Sequence, residues 1–241
     1  MKSIYKNIES SILKGEKLLA VLIDPDKMKL EQLSGFMLKL NQSVTTHVFI
    51  GGSRVNAQAT DNLVKEVKKY THLPIVLFPG DVNQISDQAD ALLYLSLISG
   101  RNPEYLIGKH VLAIPRLLEM DLEIIPTGYL LIDGGKKTAV ESVTATKSLP
   151  QENTQDIINT AKAGEFLGMK LIYLEAGSGA NIAVAPEIIS SVKAYVDIPI
   201  IVGGGIRTKQ QLDLAYKNGA DLVVIGTAFE EDDSFFDELK K

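Results

Sequence analysis

The sequence contains no cysteine, and this absence excludes several kinds of site. Disulfides, thiolate zinc sites and cysteine nucleophiles all require this residue. The sequence also lacks an excess of basic residues. It has 25 lysines and arginines and 30 aspartates and glutamates, for a net charge of −5. Nucleic-acid-binding domains normally show a basic stripe, so nucleic acid is not an expected partner. The acidic balance does not exclude anionic small molecules, since backbone dipoles can bind them locally.

Long apolar runs are also absent, and none reaches the roughly 18 residues of a transmembrane helix. The opening Met-Lys-Ser-Ile-Tyr-Lys is not followed by an apolar signal segment. We therefore expect a cytoplasmic protein without a transmembrane segment. The 241 residues, 45% hydrophobic and 23% charged, are typical of a globular chain. Their number is close to the roughly 250 residues of one (β/α)8 barrel, so we predict a single domain over residues 1–241.

Eight short runs rich in Val, Ile and Leu recur along the chain without clean alternation, as is typical of parallel strands covered on both faces. These predicted strands are 18–23, 47–50, 74–78, 91–97, 124–132, 170–175, 199–202 and 221–225. Helical spacing predicts helices at 30–40, 56–70, 154–167 with Thr154 as its N-cap, 186–195 and 209–217, and a leading helix at 1–14. Segment 134–153 has no apolar period and is expected to be a long loop over the mouth.

Strand and helix repeated eight times predict a (β/α)8 TIM barrel, with an open doubly wound sheet as the alternative. In such barrels the chemistry lies at the C-terminal ends of the strands. The first predicted strand ends in Asp24-Pro25-Asp26. A carboxylate there suits Mg²⁺, so Asp24 is a candidate ligand or else begins a turn, and Asp26 is interpreted as a helix cap. Ser53, after the second strand, either supplies an oxygen near Asp24 or caps a helix.

The sixth predicted strand carries Tyr173 and Glu175, which are two residues apart and so point to the same side. Polar groups facing into a barrel are unfavourable unless they are used or paired. Gly177-Ser178-Gly179 follows and exposes backbone N–H groups. This combination favours a base acting beside a phosphate, and the alternative is a buried structural ion pair.

The last two predicted strands end in glycine-rich turns, at 203–205 and at Gly226-Thr227. Loops after strands 7 and 8 form the standard phosphate site of this fold, with a helix N-terminus directed at the anion. Tight turns without a ligand are the alternative. The three histidines, at 47, 72 and 110, show no metal-ligand spacing and are assigned no role.

Six motifs together resemble one family, the geranylgeranylglyceryl phosphate synthases, with the bacterial heptaprenylglyceryl phosphate synthases as relatives. The motifs are LIDPDK at 22–27, FIGGSR at 49–54, EIIPTGYLLID at 123–133, YLEAGSGA at 173–180, VGGGIRT at 202–208 and VIGTAFE at 224–230. The resemblance implies a Mg²⁺-dependent prenyltransferase that joins sn-glycerol 1-phosphate to a prenyl diphosphate and releases diphosphate. NPEYLIGKH at 102–110 and the 123–133 motif resemble the branch that makes the C20, geranylgeranyl product.

The resemblance also implies roles for particular residues. Asp24 and Ser53 would hold the magnesium. Glycerol 1-phosphate would be bound by the following positions: Tyr173, Leu174, Glu175, Ala176, Gly177, Ser178, Gly179, Gly204, Gly205, Gly226 and Thr227. The family likeness further suggests a homo-oligomer, either a dimer or a hexamer, and transient membrane contact to release a lipid product.

The residue chemistry agrees with that reaction. Glu175 is suited to take the proton of a primary alcohol whose phosphate is held nearby, and Tyr173 would orient the glycerol or face an allylic cation. Candidates for an apolar groove are Leu95, Leu97, Ile98, Tyr105, Leu106 and Ile125, which are otherwise ordinary core. Two other functions stay open: a sugar-phosphate isomerase or flavin mononucleotide enzyme on the same barrel, and a non-catalytic protein that binds a phosphate ligand.

Overall fold

The computed structural model describes residues 3–52, 55 and 58–241. Eight parallel strands close into a barrel in chain order, and β8 pairs with β1. The strands are β1 Leu18–Ile23, β2 His47–Ile50, β3 Ile75–Leu77, β4 Ala91–Leu97, β5 Glu123–Leu131, β6 Leu171–Glu175, β7 Ile200–Gly203 and β8 Leu222–Ile225. The predicted barrel is confirmed, and the open sheet is wrong.

Helices surround the barrel. They are α1 Ile4–Leu13, α2 Leu30–Gln42, α3 Ala59–Val67, α4 Lys109–Leu117, α5 Ala139–Thr144, α6 Thr154–Phe166, α7 Pro186–Lys193, α8 Lys209–Lys217 and α9 Thr227–Glu231. Helices α1, α2, α3, α6, α7 and α8 lie close to the predicted positions, whereas α4, α5 and α9 were not predicted. A π-helical turn at Glu104–Gly108 precedes α4, Pro115 lies within it, and Val111 and Leu112 face solvent, so its apolar spacing is irregular. None of the described helices is long and apolar enough to cross a membrane.

The connection between β3 and β4 differs from the predicted eightfold repeat. A 3-10 turn at Val82–Gln84 stands there, and the described residues between these strands form no α-helix. The buried Gln84 side chain supports this connection by accepting the N–H of Gly80 at 3.0 Å and of Gly52 at 3.4 Å. The wall of the barrel is therefore thinner on this side, where α4 and the β3–β4 connection form the edges of a groove.

The expectation of an irregular loop over residues 134–153 is wrong for its centre, where α5 forms. Thr138 and Glu141 make a reciprocal capping box, and the Glu141 carboxylate also accepts the N–H of Ser148. Local capping stabilises this short helix, and a search for apolar periodicity cannot detect it.

Two predicted helix caps are also wrong. The side chain of Asn153, not that of Thr154, accepts the N–H of Asp156 at the start of α6. Helix α2 begins at Leu30 with Lys29 as its N-cap, so Asp26 does not cap it. The Asp26 N–H instead donates to Asp24 Oδ1 at 3.0 Å, which makes the Asp24–Asp26 segment a carboxylate-stabilised turn.

The bottom of the barrel is closed by α1. Ile4 and Ile8 of this helix join the apolar cluster that fills the barrel interior. The carboxylate of Glu123, at the start of β5, accepts the Ser3 hydroxyl at 2.6 Å and the N–H groups of Ile4 and Tyr5. A second cluster lies between the strands and the outer helices. The apolar core thus occupies both layers, and the polar strand ends are left at the opposite, C-terminal mouth.

Candidate active site

The C-terminal strand ends bring most of the predicted site residues to one pocket. The pocket is lined by residues from four strand ends, namely Asp24, Tyr173, Glu175, Ser178, Gly179, Gly204, Gly205, Gly226 and Thr227. Three other predicted positions lie behind it. Leu174 and Ala176 pack into the outer apolar layer, and Gly177 is covered by the Thr138 side chain. These three shape the loop without presenting side chains to the pocket.

Glu175 is the last residue of β6, and only 6% of it is exposed. Its Oε1 accepts the N–H of Gly177 at 2.7 Å, and no described basic side chain forms an ion pair with it. Burial raises the pKa of Glu175 to about 7, against the opposing effects of the Tyr173 hydroxyl and the Gly177 N–H. The alternative of a structural ion pair is therefore not supported, and the group is poised to exchange a proton near neutral pH.

Tyr173 is fully buried beneath this carboxylate. Burial and the nearby charge of Glu175 raise the pKa of Tyr173 well above its ordinary value, so its hydroxyl stays protonated. That hydroxyl has no hydrogen-bond partner of normal geometry among the described residues. The hydroxyl interacts with the nearby Glu175 carboxylate but makes no hydrogen bond of normal geometry, which is unfavourable for a buried donor, so it is available to an acceptor on a ligand.

Two further aromatic rings lie beside Tyr173. Phe78 stacks on it with ring centroids 5.2 Å apart, and Tyr129 lies 5.5 Å away. Phe78 follows β3, and Tyr129 is the register partner of Tyr173 on β5. The sequence analysis missed both residues. Tyr129 could have been found by aligning β5 with β6, but this alignment requires the register of the two strands.

The glycines of the β6 and β7 loops adopt left-handed backbone conformations that residues with a side chain rarely adopt. Gly177, Gly179, Gly204 and Gly205 have φ between 63° and 100°. A Cβ atom on Gly204 would lie 2.5 Å from Glu175 Oε1 and 2.7 Å from the Gly177 nitrogen. Glycine at 204 therefore lets the β7 loop approach the carboxylate closely.

Several N–H groups of these loops have no acceptor among the described residues. They are those of Ser178, Gly179, Gly204, Gly205, Gly226 and Thr227. All six residues line the pocket. Successive N–H groups left free in a turn form an anion-binding concavity.

Side chains tie the three loops to one another. The hydroxyls of Ser178 and Thr227 lie 3.3 Å apart, which joins the loops after β6 and β8. Arg207, after β7, donates to the carbonyl of Ala180 at 2.7 Å and lies 3.7 Å from the carboxylate of Glu231 on α9. The free N–H groups are therefore held on one frame of three connected loops.

Asp24 lies across the pocket at the end of β1, with its side chain 18% exposed. Its Oδ2 is 3.7 Å from the Lys27 ammonium, and the carboxylate packs against Gly52 of the β2 loop. Ser53, its predicted partner, lies outside the described residues. No described group of three or more His, Cys, Asp or Glu side chains could hold a metal ion. One carboxylate at a pocket suits Mg²⁺, which usually takes its other ligands from water and substrate phosphates.

An apolar groove leads from the pocket toward α4. Of the residues predicted for it, Leu95, Leu97 and Tyr105 do line the groove. Ile98 instead packs against Gly128 and Gly164 behind β5, and Ile125 is in the barrel interior. Leu106 is not part of the lining. The groove also contains residues that the sequence analysis missed: Phe78, Tyr94, His110, Ala113, Val140 and Val143.

A proton-exchanging carboxyl and a loop frame rich in free N–H groups thus meet at the C-terminal mouth of a closed parallel barrel. The fold and the site define a (β/α)8-barrel enzyme.

Comparison with known proteins identifies the family. The family model described as PcrB matches residues 11–241. The chain is 53% identical to a geranylgeranylglyceryl phosphate synthase of Flavobacterium johnsoniae over 98% of both chains. It is 56% identical to the synthase of that name from Zunongwangia profunda over 90% of this chain and 92% of the relative. The chain therefore belongs to the PcrB family.

A solved structure agrees with this assignment. The (S)-3-O-geranylgeranylglyceryl phosphate synthase of Thermoplasma acidophilum, in complex with its substrate sn-glycerol-1-phosphate, superposes with a TM-score of 0.92 at 31% identity. The match covers 99% of this chain and 96% of that one. The family predicted from the motifs and the prediction of an enzyme are both confirmed.

Proposed function

We propose that the protein is a Mg²⁺-dependent prenyltransferase. It would join sn-glycerol 1-phosphate to geranylgeranyl diphosphate and release geranylgeranylglyceryl phosphate and diphosphate. One observation carries the proposal: the buried Glu175 lies between a frame of free N–H groups and an apolar groove that starts at the same mouth. A small phosphate ester and a long apolar chain are the ligands that suit these two sides.

The β6–β8 side would bind the phosphate of glycerol phosphate. The N–H groups of Gly204, Gly205 and Gly226 are free for an anion, and those of Ser178 and Gly179 approach from the neighbouring loop. Charged acceptors strengthen such hydrogen bonds about twofold over neutral ones. Binding the phosphate here directs the glycerol hydroxyls back toward Glu175, which fixes the reactive alcohol near its base.

Glu175 would act as the general base. As the alcohol oxygen forms a bond to the first prenyl carbon, the carbon–oxygen bond to diphosphate breaks and its electron pair leaves with diphosphate. The alcohol proton passes to a Glu175 carboxylate oxygen. A pKa of about 7 suits this step, because the group is substantially ionised at neutral pH and still accepts a proton readily. The Tyr173 hydroxyl is available to orient the glycerol.

The aromatic rings would stabilise the reacting carbon. Loss of diphosphate gives the allylic carbon cationic character, and a cation is attracted to the faces of Phe78, Tyr129 and Tyr173. The prenyl tail would then lie in the groove past Leu95 and Tyr105 toward α4.

Asp24 would hold the magnesium together with Ser53, the rest of the metal's ligands coming from diphosphate and water. When bound there, the ion neutralises charge on the leaving diphosphate as a Lewis acid. Asp24 itself is kept in position by the N–H of Asp26 and by the contact with Gly52. It faces the pocket from β1, so the leaving group would lie on the side opposite the glycerol phosphate.

The test is the mass of the product after incubation with sn-glycerol 1-phosphate, Mg²⁺ and prenyl diphosphates of several lengths. We expect one ether product, strongest with the C20 substrate, and one diphosphate per product. A sugar-phosphate isomerase or a flavin enzyme would leave the prenyl diphosphate unchanged, and a non-catalytic protein would leave both substrates unchanged. Either result would contradict the proposal.

A further inference from the structure

Basic side chains around the mouth fall into two groups. Lys27 pairs with Glu230 at 2.8 Å, Lys109 with Asp81 at 2.9 Å, and Arg207 with Glu231 at 3.7 Å. Lys136, between β5 and α5, is different, because it forms no ion pair or hydrogen bond with any residue that the structure describes. Its charge is not neutralised by a protein carboxylate.

The ammonium of Lys136 lies close to Gly179, one of the residues with a free N–H group. A Cβ atom built on Gly179 would be 3.0 Å from Lys136 Nζ and 3.9 Å from the methyl group of Thr227. Gly179 and Thr227 both carry N–H groups without a described acceptor. A full positive charge from the loop between β5 and α5 therefore lies beside Gly179, and neutral donors come from the β6 and β8 loops.

The backbone that carries Lys136 is fixed to the β6 loop. The carbonyl of Gly134 accepts the N–H groups of Asn181 and Ile182 at 2.9 and 3.0 Å, and the Asn181 side chain donates to Gly135. Thr138 covers Gly177 on the other side. Anchoring on both sides reduces the number of positions that the long side chain can reach, and so reduces the entropy lost when it binds a ligand.

We infer that Lys136 is a phosphate ligand of glycerol 1-phosphate and closes the anion site from the β5 side. The inference rests on the proposed function, since it takes the phosphate site on β6–β8 as given. The free donors of the β6, β7 and β8 loops are neutral, and Arg207, which also lines the pocket, already donates to the Ala180 carbonyl and lies 3.7 Å from the Glu231 carboxylate. A flexible ammonium supplies a compact positive charge for phosphate, a role lysine commonly takes.

The test replaces Lys136 by methionine, which keeps the length of the side chain and removes its charge. Lys137→Met is the matched control, because Lys137 is the neighbouring exposed lysine and its replacement changes the net charge equally. Calorimetric titration with glycerol 1-phosphate, and separately with inorganic phosphate, measures the affinity of each variant. KM and kcat for both substrates, and the melting temperature, are measured in parallel.

We expect Lys136→Met to weaken binding of glycerol 1-phosphate about tenfold, since the lost hydrogen bond has a charged donor and a charged acceptor but the lysine is exposed. Inorganic phosphate should weaken similarly, and the KM for prenyl diphosphate and the melting temperature should stay unchanged. Lys136→Arg should restore most of the affinity, and Lys137→Met should bind as the unaltered protein does.

Equal affinities in the Lys136→Met and Lys137→Met variants would overturn the inference and leave the proposed function intact. Equal weakening of glycerol 1-phosphate and prenyl diphosphate would also overturn it, because the effect would then be general electrostatic attraction to the mouth. Failure of the unaltered protein to bind glycerol 1-phosphate would overturn both the inference and the proposed function.

Discussion

A glutamate lies at each end of the barrel, on neighbouring strands, and the two carboxylates differ in the number of hydrogen bonds they accept. Glu123, at the bottom of β5, accepts three hydrogen bonds from the start of α1. Glu175, at the top of β6, is buried and accepts one hydrogen bond, from Gly177. A carboxylate with enough donors stabilises a fold, whereas a buried one with few donors has a raised pKa, which suits the general-base role proposed for Glu175. The difference separates the structural end of the barrel from the reactive end.

The largest effect should come from Glu175→Gln. Glutamine keeps the shape and can still accept the Gly177 N–H, but it cannot take the alcohol proton. We expect kcat to fall by about 10²–10⁴-fold, the usual contribution of a positioned general base, with little change in the affinity for glycerol 1-phosphate. Steady-state kinetics measure the first quantity, and calorimetry measures the second. A variant with full activity would rule out the role of Glu175 as base.

Asp24→Asn should lower kcat by about 10²-fold or more, because the magnesium proposed for this position would contribute several kcal/mol of charge stabilisation in the transition state. The amide can still accept the Asp26 N–H through its oxygen, so the turn should persist. The measurement is turnover as a function of Mg²⁺ concentration, with circular dichroism to check the fold. Near-normal turnover at limiting Mg²⁺ would remove Asp24 from the metal site.

Glu175→Gln should also change how the free energy of unfolding depends on pH. Folding raises the pKa of Glu175 from 4.5 to about 7, so the folded state binds the proton more tightly. The stability that comes from this proton is fully present below pH 4.5 and is lost as pH rises through 7. The unfolding free energy of the variant minus that of the unaltered protein should therefore rise by about 2–3 kcal/mol from pH 5 to pH 8. Urea unfolding at both values measures this gain, and a pH-independent difference would contradict it.

Glu123→Gln is the matched change at the other end. Replacing one carboxylate oxygen by an amide group leaves a donor of α1 without its acceptor, and we expect a loss of about 1–2 kcal/mol in unfolding free energy. The same urea titrations apply, together with kcat, which should not change because the barrel separates this residue from the mouth. A catalytic defect in a stable Glu123→Gln protein would show that the two ends are coupled.

The smallest effect concerns substrate length. Tyr105 lines the groove near α4 and its hydroxyl donates to the carbonyl of Val143. Replacing it by alanine should remove a barrier to longer tails, and we expect the ratio of kcat/KM for substrates longer than C20 to that for C20 to rise roughly tenfold. Product masses from mixed prenyl diphosphates give this ratio. An unchanged length profile would place the limiting residue elsewhere in the groove.

The sequence predicts the strands well because their apolar runs are short, separated and buried on both faces, and the glycine turns after β6, β7 and β8 mark the mouth. It does not predict features that depend on local or three-dimensional contacts. The α5 capping box and the turn built on Gln84 use side-chain hydrogen bonds without periodicity. The ring cluster of Phe78, Tyr129 and Tyr173 requires strand register, and the position of Lys136 requires the packing of one loop on another. The cytoplasmic location and the dimeric or hexameric assembly stay predictions.

The most direct test of the account is the pKa of Glu175 itself. Carbon-13 NMR of protein labelled at the glutamate carboxyl carbons follows each carboxyl as pH changes, and the Glu175→Gln variant identifies the signal by its loss. The account predicts that this signal titrates near pH 7 in the protein without ligand, and that its midpoint moves when glycerol 1-phosphate binds. A midpoint near the ordinary value of 4.5 would contradict the central claim that the barrel holds this carboxyl ready to accept a proton.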